Sequence, residues 1–99
     1  MDVRFRQSKL DRLETEPGDG GLPPEVVKAY RKRIQLIRAA DDERVFRGLR
    51  ALHYEKLKGK RKHQRSMRLN DQWRLILEFE GEGEGADRVV WVVDIVDYH

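Results

Sequence analysis

Cysteine is absent from the 99-residue chain, which excludes disulfide bonds and thiolate metal sites. Such a composition suits a reducing compartment. No apolar segment of the signal-peptide type follows Met1, and no apolar run approaches the ~20 residues that span a bilayer. We therefore expect a cytoplasmic protein with no membrane contact, and the length predicts a single domain over residues 1–99.

Acidic residues are absent from residues 56–68, which contain seven lysines and arginines. The formal net charge of +3 hides this asymmetry: residues 47–74 carry ten basic and two acidic side chains, net +8, and residues 75–99 carry one basic and seven acidic, net −6. A basic segment of this kind favours binding to a phosphate backbone. A solvated loop that binds an acidic protein partner is the alternative interpretation.

The signatures of several enzyme classes are also missing. The three histidines lie far apart, at positions 53, 63 and 99, so neither a zinc spacing nor a Ser-His-Asp arrangement is visible. No glycine-rich phosphate loop follows a predicted strand. We expect neither a metal site nor a cofactor.

The hydrophobic pattern predicts the order strand, helix, helix and three strands. Residues 2–6 alternate as a short strand, and a first helix runs from Ser8 to about Glu16. The second helix opens at Pro23-Pro24 and ends near Ala39, with apolar residues at intervals of three and four. From Leu57 the period changes to two. The expected fold class is α+β, in two layers, with an antiparallel sheet and helices on one face.

The register of the hairpin after Leu57 follows from its apolar residues. A three-residue connection over residues 70–72 pairs Leu69 with Trp73, whereas a two-residue turn would place apolar beside polar side chains. Arg68 and Arg74 then lie side by side on the face away from the core. The final strand, 89–96, is apolar on both faces, which predicts an internal position in the sheet.

The basic segment and the last residues of the sequence contain the side-chain types that RNA cleavage needs. Attack by a 2′-hydroxyl on the neighbouring phosphate needs a base, an acid and fixed cations, and it needs no metal. Asp97, Tyr98 and His99 follow a buried strand, and Arg74 is a charge between apolar neighbours, where its burial is costly. A terminal histidine is also often a frayed surface residue. Trp73 and Trp91 are interpreted as core residues rather than base-stacking platforms.

Residues 57–75 and 96–99 resemble the HigB branch of the RelE/ParE toxin superfamily. The first block reads Leu57-Lys58-Gly59-x-Arg61-Lys62-x-Gln64-x-Ser66-x-Arg68-x-Asn70-Asp71-Gln72-Trp73-Arg74-Leu75, and the second Val96-Asp97-Tyr98-His99. The resemblance implies a RelE-like two-layer fold, β-α-α-β-β-β, and a toxin that enters the ribosomal aminoacyl site and cuts mRNA there. It also implies a HigA-type helix-turn-helix antitoxin that holds the toxin inactive.

The resemblance assigns roles to eleven residues. The implied catalytic residues are Lys58, Arg74, Asp97, Tyr98 and His99. The residues expected to bind RNA, including ribosomal RNA, are Lys56, Lys60, Arg61, Lys62, Arg65 and Arg68. Of these, we expect Lys60, Arg61, Lys62 and Arg65 to be exposed.

One position departs from the family pattern. Several members place a histidine two residues before the Leu of Leu-Lys-Gly, where this chain has Glu55, and His53 would need a shifted loop to replace it. Two other kinds of toxin with this fold remain as alternatives. One is a ParE-like gyrase poison, and the other is a family member that binds RNA or antitoxin with weak or no catalysis.

Overall fold

The alternating segments after Leu57 form the centre of a five-stranded sheet. The computed structural model describes residues 1–81 and 88–97. The strands are β1 (Asp2–Phe5), β2 (Glu55–Lys56), β3 (Gln64–Arg68), β4 (Trp73–Glu80) and β5 (Val89–Asp97), in the order β1-β5-β4-β3-β2. Met67 lies opposite Leu75 and Arg68 opposite Arg74, which confirms the predicted hairpin register. The internal position predicted for the last strand is also confirmed.

The sheet is mixed rather than wholly antiparallel. The pairs β3–β4 and β4–β5 are antiparallel, as the sequence predicts, and β2 is an additional antiparallel strand that the sequence does not predict. Strand β1 pairs parallel to β5. Between β1 and β5 the chain passes through the helices and the other three strands. Parallel neighbouring strands require a crossover connection of this kind. The antiparallel prediction is therefore correct for β3, β4 and β5 and wrong for β1.

Helices cover one face of this sheet. They are α1 (Ser8–Thr15), α2 (Pro24–Ala39) and α3 (Arg44–Gly48), with short 3-10 helices at Arg50–Leu52 and Gly59–Arg61. The buried stripe of α2 includes Tyr30, Ile34 and Ile37, which pack with Leu75 and Val92 of the sheet. Within the described ranges, no helix has both the length and the apolar character needed to cross a membrane.

A β-bulge in β5 reverses which side chains face the core in the last part of the strand. Leu77 lies opposite Val92, whereas Ile76 lies opposite Asp94, so Val93 is the extra residue on β5. Val92 and Ile95 can consequently both contact the core, although they are three residues apart. The bulge also places Val96 opposite Arg74, on the face that the helices leave open.

Candidate functional site

Two arginines stand side by side on the open face of the sheet. Arg68 ends β3 and Arg74 lies near the start of β4, directly opposite it. Side chains in such a pair are ~5 Å apart at Cβ, and like charges at this distance repel. Both are poorly exposed, with 33% and 13% of the side chain accessible. The fold thus concentrates positive charge at one end of the sheet.

Neutral and acidic groups hold Arg74 in place. Its Nε donates to the Ser66 hydroxyl at 2.9 Å, and its Nη2 donates to the backbone carbonyl of His53. The Glu55 carboxylate lies 3.7 Å from the same Nη2. Ser66 is fully buried, so its hydroxyl holds the guanidinium close against the sheet. The predicted burial cost of Arg74 is offset by these partners.

Arg68 lines a surface cavity together with His53. The Arg68 guanidinium contacts the Asp71 carboxylate, and its Nη1 lies 3.4 Å from His53 Nε2. The cavity has a volume of about 260 Å³ and is lined by His53, Arg68, Asn70, Asp71 and Arg74. Two cations and an imidazole on one open depression can bind an anion and exchange a proton with it.

The hairpin that carries both arginines is anchored to α2. Arg33 donates from Nε to the carbonyl of Arg68 at 3.1 Å, and the Asn70 amide donates to Glu25 at 3.3 Å. Burial, and then the nearby Arg68 charge, lowers the pKa of Arg33 from its ordinary value. Asn70 Oδ1 also accepts from the backbone N–H groups of Gln72 and Trp73, which closes the loop.

Strand β5 ends at the same end of the sheet as this hairpin. Asp97 lies opposite Trp73, and its carboxylate accepts a hydrogen bond from the Gln72 amide at 2.8 Å. Asp97 is thus beside the loop between Arg68 and Arg74, although its register partner is Trp73, which packs against the core, and not Arg74. Tyr98 and His99 follow Asp97 in the chain and lie outside the described residues, so their catalytic roles stay predictions.

Lys58 does not share this location. Its neighbour Leu57 donates to the Gln64 carbonyl at 3.1 Å, at the opposite end of β3 from the hairpin loop. Strand β2, which ends two residues before Lys58, is three positions from β5, so about 14 Å across the sheet separates the backbones of these two strands. The structure pairs Arg68 with Arg74 and places Asp97 at the same end of the sheet, whereas Lys58 follows the pairing at the other end of β3.

The basic stretch divides into two environments. Lys60, Arg61 and Lys62 are exposed, as predicted, and so are Lys56 and Lys58. The expectation of exposure is wrong for Arg65, which has 17% of its side chain accessible and lies 3.4 Å from Glu43. Because Arg65 shares the helix-covered face with Leu77, its charge is directed toward the core side.

Glu43 is the centre of a buried ionic cluster that the sequence did not reveal. It is 1% exposed, accepts from the Tyr54 hydroxyl at 2.6 Å and lies 2.9 Å from Arg88. Arg47 and Arg65 approach the same carboxylate at 3.3 and 3.4 Å. These contacts tie α3 to β3, to the start of β5 and to the segment after His53.

His53 is the functional candidate that sequence reasoning left in doubt. It ends the 3-10 helix with a left-handed φ of 42°, which turns the chain toward β2 and brings the ring beside Arg68. Left-handed backbone is uncommon for a residue other than glycine. Nothing in the sequence marks this turn, since neither glycine nor asparagine stands there.

The two tryptophans differ in environment. Trp73 packs against the core, as predicted. The same prediction is wrong for Trp91, which lies on the open face under the guanidinium of Arg6, 4.1 Å from its ring centroid, and donates to Glu80 at 3.0 Å. Cation–π contact explains how a tryptophan is accommodated there. Among residues 1–81 and 88–97, no cluster of three His, Asp or Glu side chains could hold a metal ion.

Comparisons with known proteins agree with this architecture. A toxin described as a YoeB/ParE toxin from Agrobacterium tumefaciens superposes with a TM-score of 0.64 over 100% of both chains, at 19% sequence identity, which supports the fold alone. No curated protein matches the sequence. The family model described as the RelE-like toxin HigB of type II toxin–antitoxin systems matches residues 3–99. Because this match spans nearly the whole chain, the protein belongs to the HigB-like family of RelE-like toxins.

Proposed function

We propose that this toxin is a ribosome-dependent mRNA endonuclease that inhibits translation in the cytoplasm. The observation that carries the proposal is the cavity of about 260 Å³ where Arg68, Arg74 and His53 meet beside the end of β5. One phosphate group of an RNA strand suits this arrangement, since guanidinium groups bind phosphate oxygens in a planar fork. Residues 1–99 act as one toxin domain.

The reaction is an internal transfer of the phosphoryl group. The 2′-oxygen of one nucleotide bonds to the adjacent phosphorus while the bond from phosphorus to the 5′-oxygen breaks. A base takes the 2′-hydroxyl proton and an acid protonates the leaving 5′-oxygen, which yields a cyclic phosphate and a 5′-hydroxyl. Arg74 stabilises the charge that develops on the phosphoryl oxygens, and Arg68 positions the RNA strand.

Histidine and tyrosine side chains supply the proton transfers. His53 lies beside Arg68 and can exchange a proton with a nucleotide bound in the cavity. His99 is the second candidate, Tyr98 the third, and Asp97 orients the chain end. Since Lys58 is separated from Asp97, we propose that it contributes to cleavage by holding RNA phosphate at the far side of the sheet rather than at the reacting bond.

Family membership implies an antitoxin partner. We propose that this partner is a HigA-type helix-turn-helix protein. The exposed cations of the segment from Lys56 to Lys62 are proposed to contact ribosomal RNA around the aminoacyl site, because their positive field suits a large phosphate surface.

Cleavage should depend on the ribosome. We expect message on translating ribosomes to be cut and the same RNA in free form to be cut poorly, since so small a protein offers few groups to align a strand in line. Primer extension on both substrates measures this. Equal cleavage of free RNA would contradict ribosome dependence, and inhibition of DNA supercoiling by gyrase with messages intact would favour the ParE-like function.

Neutralising the basic loop should weaken ribosome binding. Replacing Lys60, Arg61 and Lys62 with glutamine should lower the salt dependence of binding by about one unit of slope for each RNA phosphate that is no longer neutralised. Because all three side chains are exposed, the free energy of unfolding should hardly change. Co-sedimentation with ribosomes over a potassium chloride series measures the slope. Arg65 is left unchanged, since it belongs to the Glu43 cluster.

The matched control replaces three exposed lysines on the helices, Lys9, Lys28 and Lys32, with glutamine. It makes the same change in net charge and should leave the slope near that of the parent. Loss of ribosome binding in this control, with binding intact in the loop variant, would place the contact on the helices instead.

A further inference from the structure

Each arginine of the proposed RNA site is already in contact with an acidic side chain of the same protein. Glu55 lies 3.7 Å from the Arg74 guanidinium, and Asp71 contacts that of Arg68. The exposure within each pair is unequal: the acids have 54% and 95% of their side chains accessible, the arginines 13% and 33%. The carboxylates therefore approach the cations from the solvent side, where a phosphate would also arrive.

Other groups besides the two acids hold Arg74 and the loop that contains Asp71, although the Ser66 hydroxyl that anchors Arg74 also donates to Glu55 at 3.5 Å. Arg74 remains fixed by the Ser66 hydroxyl and the His53 carbonyl. The loop that contains Asp71 is closed by Asn70, whose side-chain oxygen accepts two backbone hydrogen bonds. Removing either carboxylate thus leaves the anchoring of Arg74 and the backbone hydrogen bonds of the loop in place.

A carboxylate and a phosphate compete for the same face of a guanidinium. Both present oxygen acceptors that match its N–H fork. A phosphate that binds must displace the acid or remain beside it, and the second arrangement brings two negative charges together. The acids consequently oppose RNA binding, and do so most strongly for short RNA that has no other contact with the protein.

We propose that Glu55 and Asp71 are specificity-determining residues that exclude free RNA from the site. They occupy Arg74 and Arg68 until RNA arrives with additional contacts that compensate for their displacement, as on a ribosome. The inference rests on the proposed function for the identity of the anion.

Binding of a non-cleavable RNA tests this directly. The probe is a fluorescein-labelled single-stranded hexanucleotide with 2′-O-methyl groups, which lacks the attacking hydroxyl. Fluorescence anisotropy is measured at several salt concentrations for the parent, Glu55→Gln, Asp71→Asn and the double variant. The control is a double variant with the same charge change at exposed positions away from the cavity, Glu16→Gln with Asp41→Asn.

Each single variant should bind the probe several-fold more tightly, and the double variant about 10-fold, since exposed ion pairs are weak. The control should change affinity by less than about 2-fold, because separated exposed charges are screened. Affinities equal to those of the control, weaker binding by Glu55→Gln, or no binding by any variant would overturn the inference; weaker binding would instead assign Glu55 to the positioning of Arg74.

A failure of the endonuclease proposal can be distinguished from a failure of the inference about Glu55 and Asp71. Because the probe cannot be cut, its binding does not depend on catalysis. If the double variant gains affinity while the parent leaves ribosome-bound message intact, the competition by Glu55 and Asp71 stands and the endonuclease assignment falls. Circular dichroism of each variant verifies folding, and the two single substitutions keep the test valid if the double variant does not fold.

Discussion

A chain that ends at Tyr98 should cleave ribosome-bound message about 100- to 10,000-fold more slowly than the parent chain, the reduction typical of removing one general acid or base. Histidine is suited to this role because it ordinarily titrates near pH ~6.5. The truncation retains every described core residue and the pairing of Asp97 with Trp73. Folding, ribosome binding and antitoxin binding should therefore persist. Single-turnover cleavage of message on purified ribosomes measures the rate.

Two controls separate chemistry from the removal of a residue. His99→Gln keeps the chain length and should lose as much activity as the truncation. His63→Gln removes an exposed histidine that lies 3.6 Å from Glu78, far from the cavity, and should keep the parental rate. A truncated chain that cuts message at the parental rate would show that His99 is only a surface residue at the chain end.

The hairpin of β3 and β4 could be predicted to the residue, because a one-residue slip would reverse the facing of every side chain. Only the register that places Leu69 near Trp73 keeps apolar residues together, and the hydrogen bond from Leu69 N to Trp73 O, 2.9 Å long, confirms it. The side-by-side placement of Arg68 and Arg74 followed from the same argument. A strongly alternating pattern thus determined the most important geometry of the site.

The parallel pairing of β1 and the bulge at Val93 could not be predicted in this way. Residues 89–96 are apolar on both faces, so their pattern contains no preference for one facing over the other. The four residues of β1 indicate a strand but not its neighbour. Both features depend on where the helices return the chain to the sheet, which local sequence does not specify.

The positions of His53 and Glu43 were missed for a related reason. His53 meets Arg68 from 15 residues away, and Glu43 meets Arg65 and Arg88 from 22 and 45 residues away. Neither side chain belongs to a periodic segment that would fix its direction. The last of three consecutive acidic residues before a short helix is ordinarily expected at the surface, and only the assembled fold supplies three guanidiniums to bury it.

Removing the charge of Glu43 should cost about 3–5 kcal/mol of unfolding free energy, the usual effect of breaking a buried ion pair. In Glu43→Gln, the guanidiniums of Arg47, Arg65 and Arg88 would remain close together without their shared anion. The hydrogen bond from Tyr54 would also lose its charged acceptor. Urea unfolding followed by tryptophan fluorescence at pH 7 measures the difference.

The pH dependence identifies the ionised carboxylate as the cause. Burial raises the pKa of Glu43, but the Tyr54 hydroxyl and the three guanidiniums outweigh burial and hold that pKa below its ordinary value of 4.5. A lowered folded-state pKa gives stability that is fully present above the unfolded value and is lost as the pH falls through the folded value. The gap between parent and Glu43→Gln should therefore be constant down to about pH 5 and narrow in stronger acid.

Asp41→Asn is the matched control, since Asp41 lies two residues before Glu43 in the chain and its side chain is exposed. Its stability at pH 7 should be close to that of the parent, because solvent screens an exposed charge. If the gap for Glu43→Gln instead stays constant from pH 7 to pH 3, the destabilisation comes from packing of the amide. The buried carboxylate would then not be the ionised group around which α3, β3 and the start of β5 assemble.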